Sequence, residues 1–397
     1  MTAVVPRTLR VLLVSPVGEH GGAEEVLLRL ADGLRALGVE PVLACARPGP
    51  LLGQARQLGV PAHAYKQHRY RDALAVGGAT LWLARVARRE RADLIHSTHA
   101  GHVYGGPAAW LSGVPEVWHI HDYPYRRDWL DRLNLRVPTS LAMFTTRRVR
   151  SGFPSLARGP HVIIPPACVD VDRWSAAAPD PGVRGRYGLP PVGPLLLTVA
   201  RIEERKGHRH LIDAVPGVLR AVPGATFAIV GKATEPAQQD LERELKARAE
   251  QLGVAERVRF LGYVPDADLI SLYKAADALV HPATVEAYGL VLVQAMAAGT
   301  PVVAAASDGP CELIDDGNSG LLVPPRNPGQ LATAVLRVLT EPTLAARLRA
   351  GGAATAARCR PEELVRATAD AYRAALAGAA LAGAGGRSRG VHPAPSR

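Results

Sequence analysis

The chain contains few of the residues that mark three large classes of protein. Only four cysteines occur in 397 residues, and Cys45, Cys168, Cys311 and Cys359 lie far apart. This spacing fits neither a disulfide framework nor a metal or redox motif, so it predicts reduced thiols in a cytoplasmic protein. No apolar run reaches the roughly 18 residues of a membrane span. The first apolar run also lacks the length and the cleavage site of a signal peptide.

Aromatic residues are scarce too, with only four Phe. Because no zinc-ligand spacing and no evident helix-turn-helix accompany them, the sequence predicts no nucleic-acid partner. The formal charge of +11 is uneven. Residues 1–175 hold 22 Lys/Arg and 14 Asp/Glu, hence +8, and the remainder carries +3. The basic first half favours phosphates, acidic glycans or an anionic membrane face, although a solvated Arg-rich surface explains it equally well.

Short apolar strands alternate with helical stretches, and this alternation occurs twice. The chain is long enough for two domains and, at 48% hydrophobic, can fill two cores. We therefore predict an α/β protein of two Rossmann-like domains with parallel sheets that face one another across a cleft. The predicted domains are residues 1–178 and 190–360. A helix over 361–381 could return to the first domain, and residues 382–397 have the composition of a disordered tail.

Ligands of open parallel sheets bind beyond the carboxyl ends of the strands. Glu286 follows the predicted strand ADALVHPA and precedes a helix expected between Gly289 and Gly299. The amides of Tyr288, Gly289 and Leu290 are candidate donors at that helix start, and Gln294 lies one turn further on. Either Glu286 and Gln294 face a polyhydroxylated ligand, or Glu286 caps its helix and Gln294 bonds to nearby backbone.

Two cations follow another predicted strand end, in TVARIEERKGHRHLI. Arg201 and Lys206, with the Gly207 amide beside them, suit the binding of a diphosphate. A surface cluster of salt bridges with Glu203 and Glu204 explains the same residues.

The first half offers weaker candidates at its own strand ends. Gly21 and Gly22 in GEHGGAEE either admit a phosphate or sugar or form a plain tight turn. His121, which Asp122 could orient, either contacts a ligand or bonds within its loop. His96, His99 and His102 are predicted to be surface loop residues rather than metal ligands.

Several segments, in order, resemble the retaining GT-B type glycosyltransferases of family 4. They are GGAE, ARIEERKG, IVGKA, VRFLGYVP, HPATVEAYGLVLVQAMAAGTPVVA and DGPCELIDDGNSGLLVPP, and the likeness covers roughly residues 9–380. The resemblance implies a second domain that binds a UDP- or GDP-sugar as co-substrate, a first domain that binds a hydroxyl acceptor, and no metal or other cofactor.

The resemblance also implies residue roles. Arg201 and Lys206 match the diphosphate-binding pair, Glu286 matches the first glutamate of the E-x7-E motif, and His121 matches the first-domain histidine near the sugar. These four are the predicted catalytic residues. The implied donor-binding residues are Gly21, Gly22, Phe260, Leu261, Gly262, Tyr288, Gly289, Leu290 and Gln294. The three from Phe260 to Gly262 are expected to contact the base of the nucleotide.

Three departures from the family pattern stand out. Gln294 replaces the second glutamate of the motif, which predicts weaker or altered nucleotide binding. Asp308 stands where a glycine is common before Gly309, and PPACVD (165–170) replaces the usual Asn-Gly.

Two other functions remain open at the level of sequence. A non-catalytic sugar-nucleotide-binding relative would explain Gln294, but the presence of Arg201, Lys206 and Glu286 favours an enzyme. A GT-B type sugar-nucleotide epimerase would need cleft carboxylates that are not evident here. A peripheral membrane contact is a further possibility, with the basic residues Arg85, Arg88, Arg89 and Arg91 and with Trp82 on one helix.

Overall fold

The computed structural model describes residues 8–19, 21–65, 73–123 and 135–383. The chain divides into two compact units, Met1–Cys168 with Pro361–Arg397, and Val169–Arg360. The expected disordered tail lies outside the described residues from position 384 onward.

The first unit is built on a parallel sheet of seven strands in the order β3-β2-β1-β4-β5-β6-β7. The strands are β1 (Leu9–Ser15), β2 (Val39–Cys45), β3 (Ala62–Ala64), β4 (Leu94–Thr98), β5 (Glu116–Ile120), β6 (Leu141–Phe144) and β7 (His161–Ile163). The helices between them are α1 (Gly22–Gly33), α2 (Pro50–Gln57), α3 (Ala73–Arg89), α4 (His102–Ser112) and α5 (Arg147–Ser151).

The second unit has a parallel sheet of six strands in the order β10-β9-β8-β11-β12-β13. The strands are β8 (Leu195–Val199), β9 (Thr226–Val230), β10 (Val258–Gly262), β11 (Ala278–His281), β12 (Val302–Ala305) and β13 (Leu321–Val323). The helices are α6 (Val171–Ala176), α7 (Val183–Arg186), α8 (His208–Ala221), α9 (Pro236–Gln251), α10 (Asp266–Ala275), α11 (Leu290–Ala297), α12 (Asp308–Leu313), α13 (Pro328–Thr340) and α14 (Pro342–Ala356). The last helix, α15 (Pro361–Gly383), belongs to the first unit, where it packs against α1.

Burial explains why the strands were readable from sequence. Residues Val11–Val14 of β1 have no exposed surface, and Leu195–Leu197 of β8 are at most 1% exposed. Because helices cover both faces of a parallel sheet, its central strands are apolar on both sides. A capping box in which Glu235 and Gln238 bond reciprocally to the backbone begins α9.

The prediction that His96, His99 and His102 are surface loop residues is wrong for two of them. His96 lies in β4 with no exposed surface, and its Nδ1 is 2.5 Å from the Tyr372 hydroxyl of α15. His102 begins α4, also fully buried, with Nδ1 2.9 Å from Glu116 Oε2. In a sheet covered on both faces a strand side chain is buried whichever way it points, and a polar residue there needs a partner.

The four cysteines are thiols, three of them buried and Cys311 exposed, as predicted. Within the described ranges, none of the helices is both long enough and apolar enough to cross a bilayer.

Candidate active site

Two loops of the second unit meet at the carboxyl edge of its sheet. Strands β8 and β11 are parallel neighbours, with Leu196 paired to Ala278. The loops that follow them therefore leave the sheet side by side, although about 80 residues separate them in sequence. The Thr284 amide of one loop donates to the Arg205 carbonyl of the other at 2.9 Å.

Gly207 permits this close approach. Its φ of +71° lies in the left-handed region, which favours glycine. A Cβ at this position would lie 2.1 Å from the carbonyl oxygen of Pro282. Any other residue would push the two loops apart, so Gly207 sets the position of its neighbour Lys206.

Lys206, Glu286 and His281 form one hydrogen-bonded cluster at this edge. The Lys206 ammonium donates to Glu286 Oε2 at 2.7 Å, and His281 Nε2 lies 3.1 Å from the same oxygen. The side chains of Lys206 and Glu286 are each 12% exposed, and that of His281 is 1% exposed. The predicted cation and carboxylate are thus in direct contact, and both are largely buried from solvent.

The cluster keeps Glu286 ionised. Burial alone would raise the pKa of its carboxyl group, but attraction to Lys206 and the hydrogen bond from His281 outweigh burial. The net result is a pKa well below the usual range for glutamate. An ionised carboxylate only accepts hydrogen bonds, which is what hydroxyl groups of a ligand require.

Arg201 does not share the environment of Lys206. Its guanidinium is 65% exposed and lies 2.8 Å from Glu203 Oε1, and Arg205 also bonds to Glu203, at 2.9 Å. The alternative of a salt-bridge cluster with Glu203 therefore describes the position of Arg201 in the structure. Because the guanidinium lies mostly in solvent, this contact contributes little stability, and Arg201 can exchange partners at small cost.

The residues around Gly289 form the start of α11. Gly289 is the N-cap with φ +98°, again in the left-handed region. Tyr288 is 8% exposed, and the Gly309 amide donates to the Glu286 carbonyl at 2.8 Å. A Cβ on Gly309 would lie 2.4 Å from Tyr288 Cα. First-turn amides of a helix lack intrahelical acceptors, so Leu290 and its neighbours remain suitable donors to a ligand.

Gln294 lies further along α11 and is half-buried. Its Oε1 is 3.4 Å from the hydroxyl of Tyr273, which is also 3.3 Å from the Val291 carbonyl. Both distances are long for O–H···O bonds, so the contact orients the carboxamide only weakly.

The residues predicted at the base lie on β10, which is the edge strand of this sheet. Phe260, Leu261 and Gly262 are all half-buried, and Gly262 has φ +67°. The Gly262 carbonyl accepts from the Gly231 amide at 2.8 Å, which ties the end of β10 to the end of β9.

The predicted residues of the first unit also follow strand ends. Gly21 is the extended N-cap of α1, and Gly22 is the first residue of that helix. His121 follows β5, and its ring centroid lies 3.9 Å from that of His119. Its Nε2 is inaccessible to solvent and has no partner in the described part of the chain, and burial lowers the pKa of His121 to about 3.

Sequence reasoning missed His281. It is the last residue of β11 and precedes Glu286 by five positions, within the quoted segment HPATVEAYG. A histidine at a strand end beside a candidate carboxylate was the available signal. Among the described residues, no three His, Cys, Asp or Glu side chains are arranged to hold a metal ion.

Comparison with protein families adds a second line of support. The sequence model described as Glycosyl transferases group 1 matches residues 183–355, and that described as Glycosyltransferase Family 4 matches residues 20–164. The 2-deoxystreptamine glucosyltransferase of Streptomyces kanamyceticus is 30% identical over 361 residues, which cover 82% of this chain and 92% of that protein.

Two other relatives match over shorter stretches. The D-inositol 3-phosphate glycosyltransferase of Frankia alni is 38% identical over 203 residues, which span only 50% of each protein. The GDP-mannose-dependent phosphatidylinositol monomannoside mannosyltransferase of Mycolicibacterium smegmatis is 34% identical over 268 residues, 62% of this chain and 67% of that protein.

Solved structures share the fold of this chain. A glycosyltransferase from Rickettsia africae superposes with a TM-score of 0.82 at 18% identity, over 93% of this chain and 99% of that one. Anabaena HepE, solved with UDP and glucose, gives a TM-score of 0.79 at 25% identity, over 92% and 100%. The predicted GT-B fold, with two Rossmann-like units on parallel sheets, is confirmed.

Proposed function

The chain belongs to the glycosyl transferases of group 1, and from this premise we propose that it moves a sugar from a nucleotide-diphospho-sugar to a hydroxyl group of an acceptor. The contact between Lys206 and Glu286 supports this proposal most directly. A cation suited to a diphosphate and a carboxylate suited to sugar hydroxyls meet at the strand ends where such ligands bind.

The proposed reaction needs no reactant besides the nucleotide-diphospho-sugar and the hydroxyl acceptor. The bond between the anomeric carbon and the diphosphate oxygen breaks, and its electron pair leaves with the nucleoside diphosphate. The acceptor oxygen bonds to the anomeric carbon, and its proton passes to the departing phosphate. Arg201 and Lys206 stabilise the charge that develops on that phosphate, and Glu286 holds the sugar hydroxyls.

Two finer features extend the proposal. Attack from the face of the leaving group retains the anomeric configuration, because the new bond forms on the side where the old one breaks. The same geometry brings the acceptor proton to the departing phosphate. The two cations supply the charge that a metal ion would otherwise supply, so we propose that transfer requires no metal.

The relatives support the donor and acceptor classes only broadly. HepE was solved with UDP-glucose, and the name of the mycobacterial relative specifies GDP-mannose, so we propose a UDP- or GDP-sugar. The relatives named for 2-deoxystreptamine, D-inositol 3-phosphate and phosphatidylinositol monomannoside support a hydroxyl acceptor that is a small metabolite, a glycan or a lipid. We also propose a cytoplasmic location with peripheral contact at the inner face of the membrane.

The test begins with thermal unfolding in the presence of UDP-glucose, GDP-mannose and other common sugar nucleotides. A ligand at 100 times its Kd stabilises the folded state by about 2.7 kcal/mol, which gives a readily measured rise in Tm. The donor found in this way is then used to measure release of free sugar without acceptor. We expect the parent to hydrolyse the donor slowly, as transferases do when water replaces the acceptor.

The double variant Arg201→Ala/Lys206→Ala should remain folded and lose donor hydrolysis by roughly 100-fold or more, because it lacks the charges that stabilise the leaving group. Arg209→Ala is the matched control, since Arg209 lies on the surface of α8 and bonds to Glu244 of α9. Turnover by the double variant at the parental rate would contradict the proposed function. A parent that binds donor without ever hydrolysing it would instead identify a non-catalytic relative.

A further inference from the structure

Among the described residues, Glu286 accepts two side-chain hydrogen bonds, and both go to a single oxygen. Lys206 Nζ lies 2.7 Å and His281 Nε2 lies 3.1 Å from Oε2, and neither bond uses Oε1. The carboxylate is thus held from one side, and its other oxygen remains for a different donor.

His281 is fixed more firmly than Lys206. It is the last residue of β11 and pairs with Ala304 of β12, in the middle of the sheet. Its Nδ1 is buried and has no hydrogen-bond partner among the described residues. Because an ionised Glu286 can only accept, the hydrogen of this bond lies on Nε2 of the imidazole. The four rotatable bonds of the Lys206 side chain let its ammonium group move away from Glu286. The buried ring of His281 cannot turn away from Glu286.

Donor binding would separate the two partners of Glu286. The proposed function, on which this inference rests, requires Lys206 at the donor diphosphate, and a diphosphate attracts an ammonium more strongly than one carboxylate does. When Lys206 leaves, a poorly hydrated carboxylate loses its main counter-charge. Without another donor it would tend to take up a proton and to swing from its position.

We propose that His281 is a positioning residue: its Nε2–H keeps the Glu286 carboxylate oriented and ionised while Lys206 serves the donor diphosphate, and Oε1 accepts from hydroxyls of the donor sugar. This assigns different partners to the two parts of the donor. The diphosphate depends on Lys206 and Arg201, and the sugar depends on Glu286 through His281.

Three substitutions separate the hydrogen bond from the shape of the side chain. His281→Phe keeps a ring and removes the donor. His281→Gln places an amide N–H at the distance of Nε2, and His281→Asn, one carbon shorter, places it at the distance of Nδ1, where it cannot reach Glu286. Calorimetry would compare the Kd of UDP with that of UDP-glucose, and the Kd of GDP with that of GDP-mannose, for the full-length protein.

We expect His281→Phe and His281→Asn to weaken sugar-nucleotide binding roughly tenfold, the value of a hydrogen bond to a charged group. Binding of the free nucleoside diphosphate should weaken less, by about threefold at most, because it also draws Lys206 from Glu286 but brings no sugar hydroxyls that need the carboxylate. His281→Gln should restore the sugar-dependent part of the affinity.

The pH dependence supplies a second readout that a merely structural role would not move. In the Phe and Asn variants Glu286 takes up a proton more easily, so sugar-nucleotide affinity should fall at a higher pH than in the parent. Of the titratable and charged groups around this cluster, His281 and Lys206 contact Glu286 directly. His208 interacts electrostatically with His281, Lys206 and Glu203, and Glu203 pairs with Arg201. Asp308 precedes Gly309, whose amide bonds to the Glu286 carbonyl. All of these groups except residue 281 are the same in His281→Gln, His281→Phe and His281→Asn. A difference in pH dependence among the three variants therefore comes from position 281.

Two results would overturn the inference. One is that His281→Phe binds the sugar nucleotide as tightly as the parent does and loses this affinity at the same acidic pH. The other is an equal loss of nucleoside diphosphate and sugar-nucleotide binding in all three variants, which would show that His281 only supports the fold. A parent that binds none of the four probes would contradict the proposed function, and the inference with it.

Discussion

At position 294 a neutral carboxamide stands where the E-x7-E pattern has its second carboxylate. The structure places Gln294 on α11, eight residues beyond Glu286, and gives Oε1 only a weak contact with the Tyr273 hydroxyl at 3.4 Å. A neutral acceptor forms hydrogen bonds about half as strong as a charged one. Gln294 therefore remains available to a nucleotide and is expected to hold it less tightly than glutamate would.

The substitution Gln294→Glu should tighten binding of the donor nucleotide by about fivefold, a gain of about 1 kcal/mol from the stronger bonds to hydroxyl groups. Calorimetric Kd values of parent and variant measure this directly. Gln330→Glu is the matched control, because it adds the same charge at an exposed position of α13. An unchanged Kd for Gln294→Glu would mean that residue 294 does not touch the nucleotide.

Among elements, α3 and α4 together present a surface suited to an anionic membrane. Both helices pack on the core of the first unit, and neither contains an acidic residue. Their outward side carries Leu74, Leu81, Arg85, Arg88 and Trp110, the α3–α4 face. Leu74 is 89% exposed and Trp110 is 80% exposed. Exposed apolar residues beside arginines are typical of interfacial helices.

The structure changes one detail of the sequence-based membrane hypothesis. Trp82, which the sequence suggested, is half-buried, and its ring centroid lies 5.2 Å from that of Tyr65. The exposed tryptophan is Trp110, on the neighbouring helix. Arg89 bonds to Glu90 at 3.0 Å, so Arg85 and Arg88 are the better candidates for lipid contact.

We predict that the protein binds vesicles containing phosphatidylserine at low salt and ignores vesicles of phosphatidylcholine alone. Each arginine near an anionic surface contributes about 1 kcal/mol, so Arg85→Gln/Arg88→Gln should weaken binding about 30-fold. Trp110→Ser should weaken it as well, by removing apolar area from the interface.

Co-sedimentation with vesicles of the two compositions measures this prediction. Val192→Ser, which changes an equally exposed apolar residue of the second unit, should behave as the parent does. Equal binding by parent and Arg85→Gln/Arg88→Gln would show that the α3–α4 face does not contact the lipid.

At the scale of the whole molecule, buried imidazoles link stability to pH. His96 and His119 of the first unit have no exposed surface, and both nitrogens of His119 are unpartnered among the described residues. Burial lowers the pKa of His96 to about 3 and that of His119 well below its ordinary value, with further lowering by His121. In the second unit, burial lowers the pKa of His208 to about 4.

The sign of the effect follows from proton binding. Below about pH 6.5 the unfolded chain binds protons at these histidines, whereas the folded state does not until a much lower pH. The free energy of unfolding should therefore decrease as the pH falls from 7 to 5. His119 alone accounts for about 2 kcal/mol over that interval.

The variant His119→Leu should show a smaller loss of stability between pH 7 and pH 5, by about 2 kcal/mol. Urea unfolding at the two pH values measures it. Any packing defect introduced by leucine is the same at both pH values, so it cancels in the difference. A variant with the same pH dependence as the parent would show that His119 takes up a proton in the folded state.

The sequence by itself determined the elements and indicated which strand ends carry the candidate site residues. Strands such as β1 and β8 are apolar runs, helices such as α9 and α10 have clear starts and ends, and Gly207, Gly289 and Gly309 lie at the junctions. Propensity, capping and the conformational freedom of glycine act over a few residues, so these features are legible along the chain. The family resemblance rests on the same local segments.

Only the tertiary structure decided which of these residues meet. Lys206 contacts Glu286 because the order of strands in the sheet places β8 beside β11. No local pattern of the amino-acid sequence specifies that order. The same applies to the contact of His281 with Glu286 and to that of His96 with Tyr372 of α15. It also applies to the exposure of Trp110 rather than Trp82. Contacts between residues far apart depend on how strands order and helices cover a sheet, since burial is a property of the assembled core rather than of the residue.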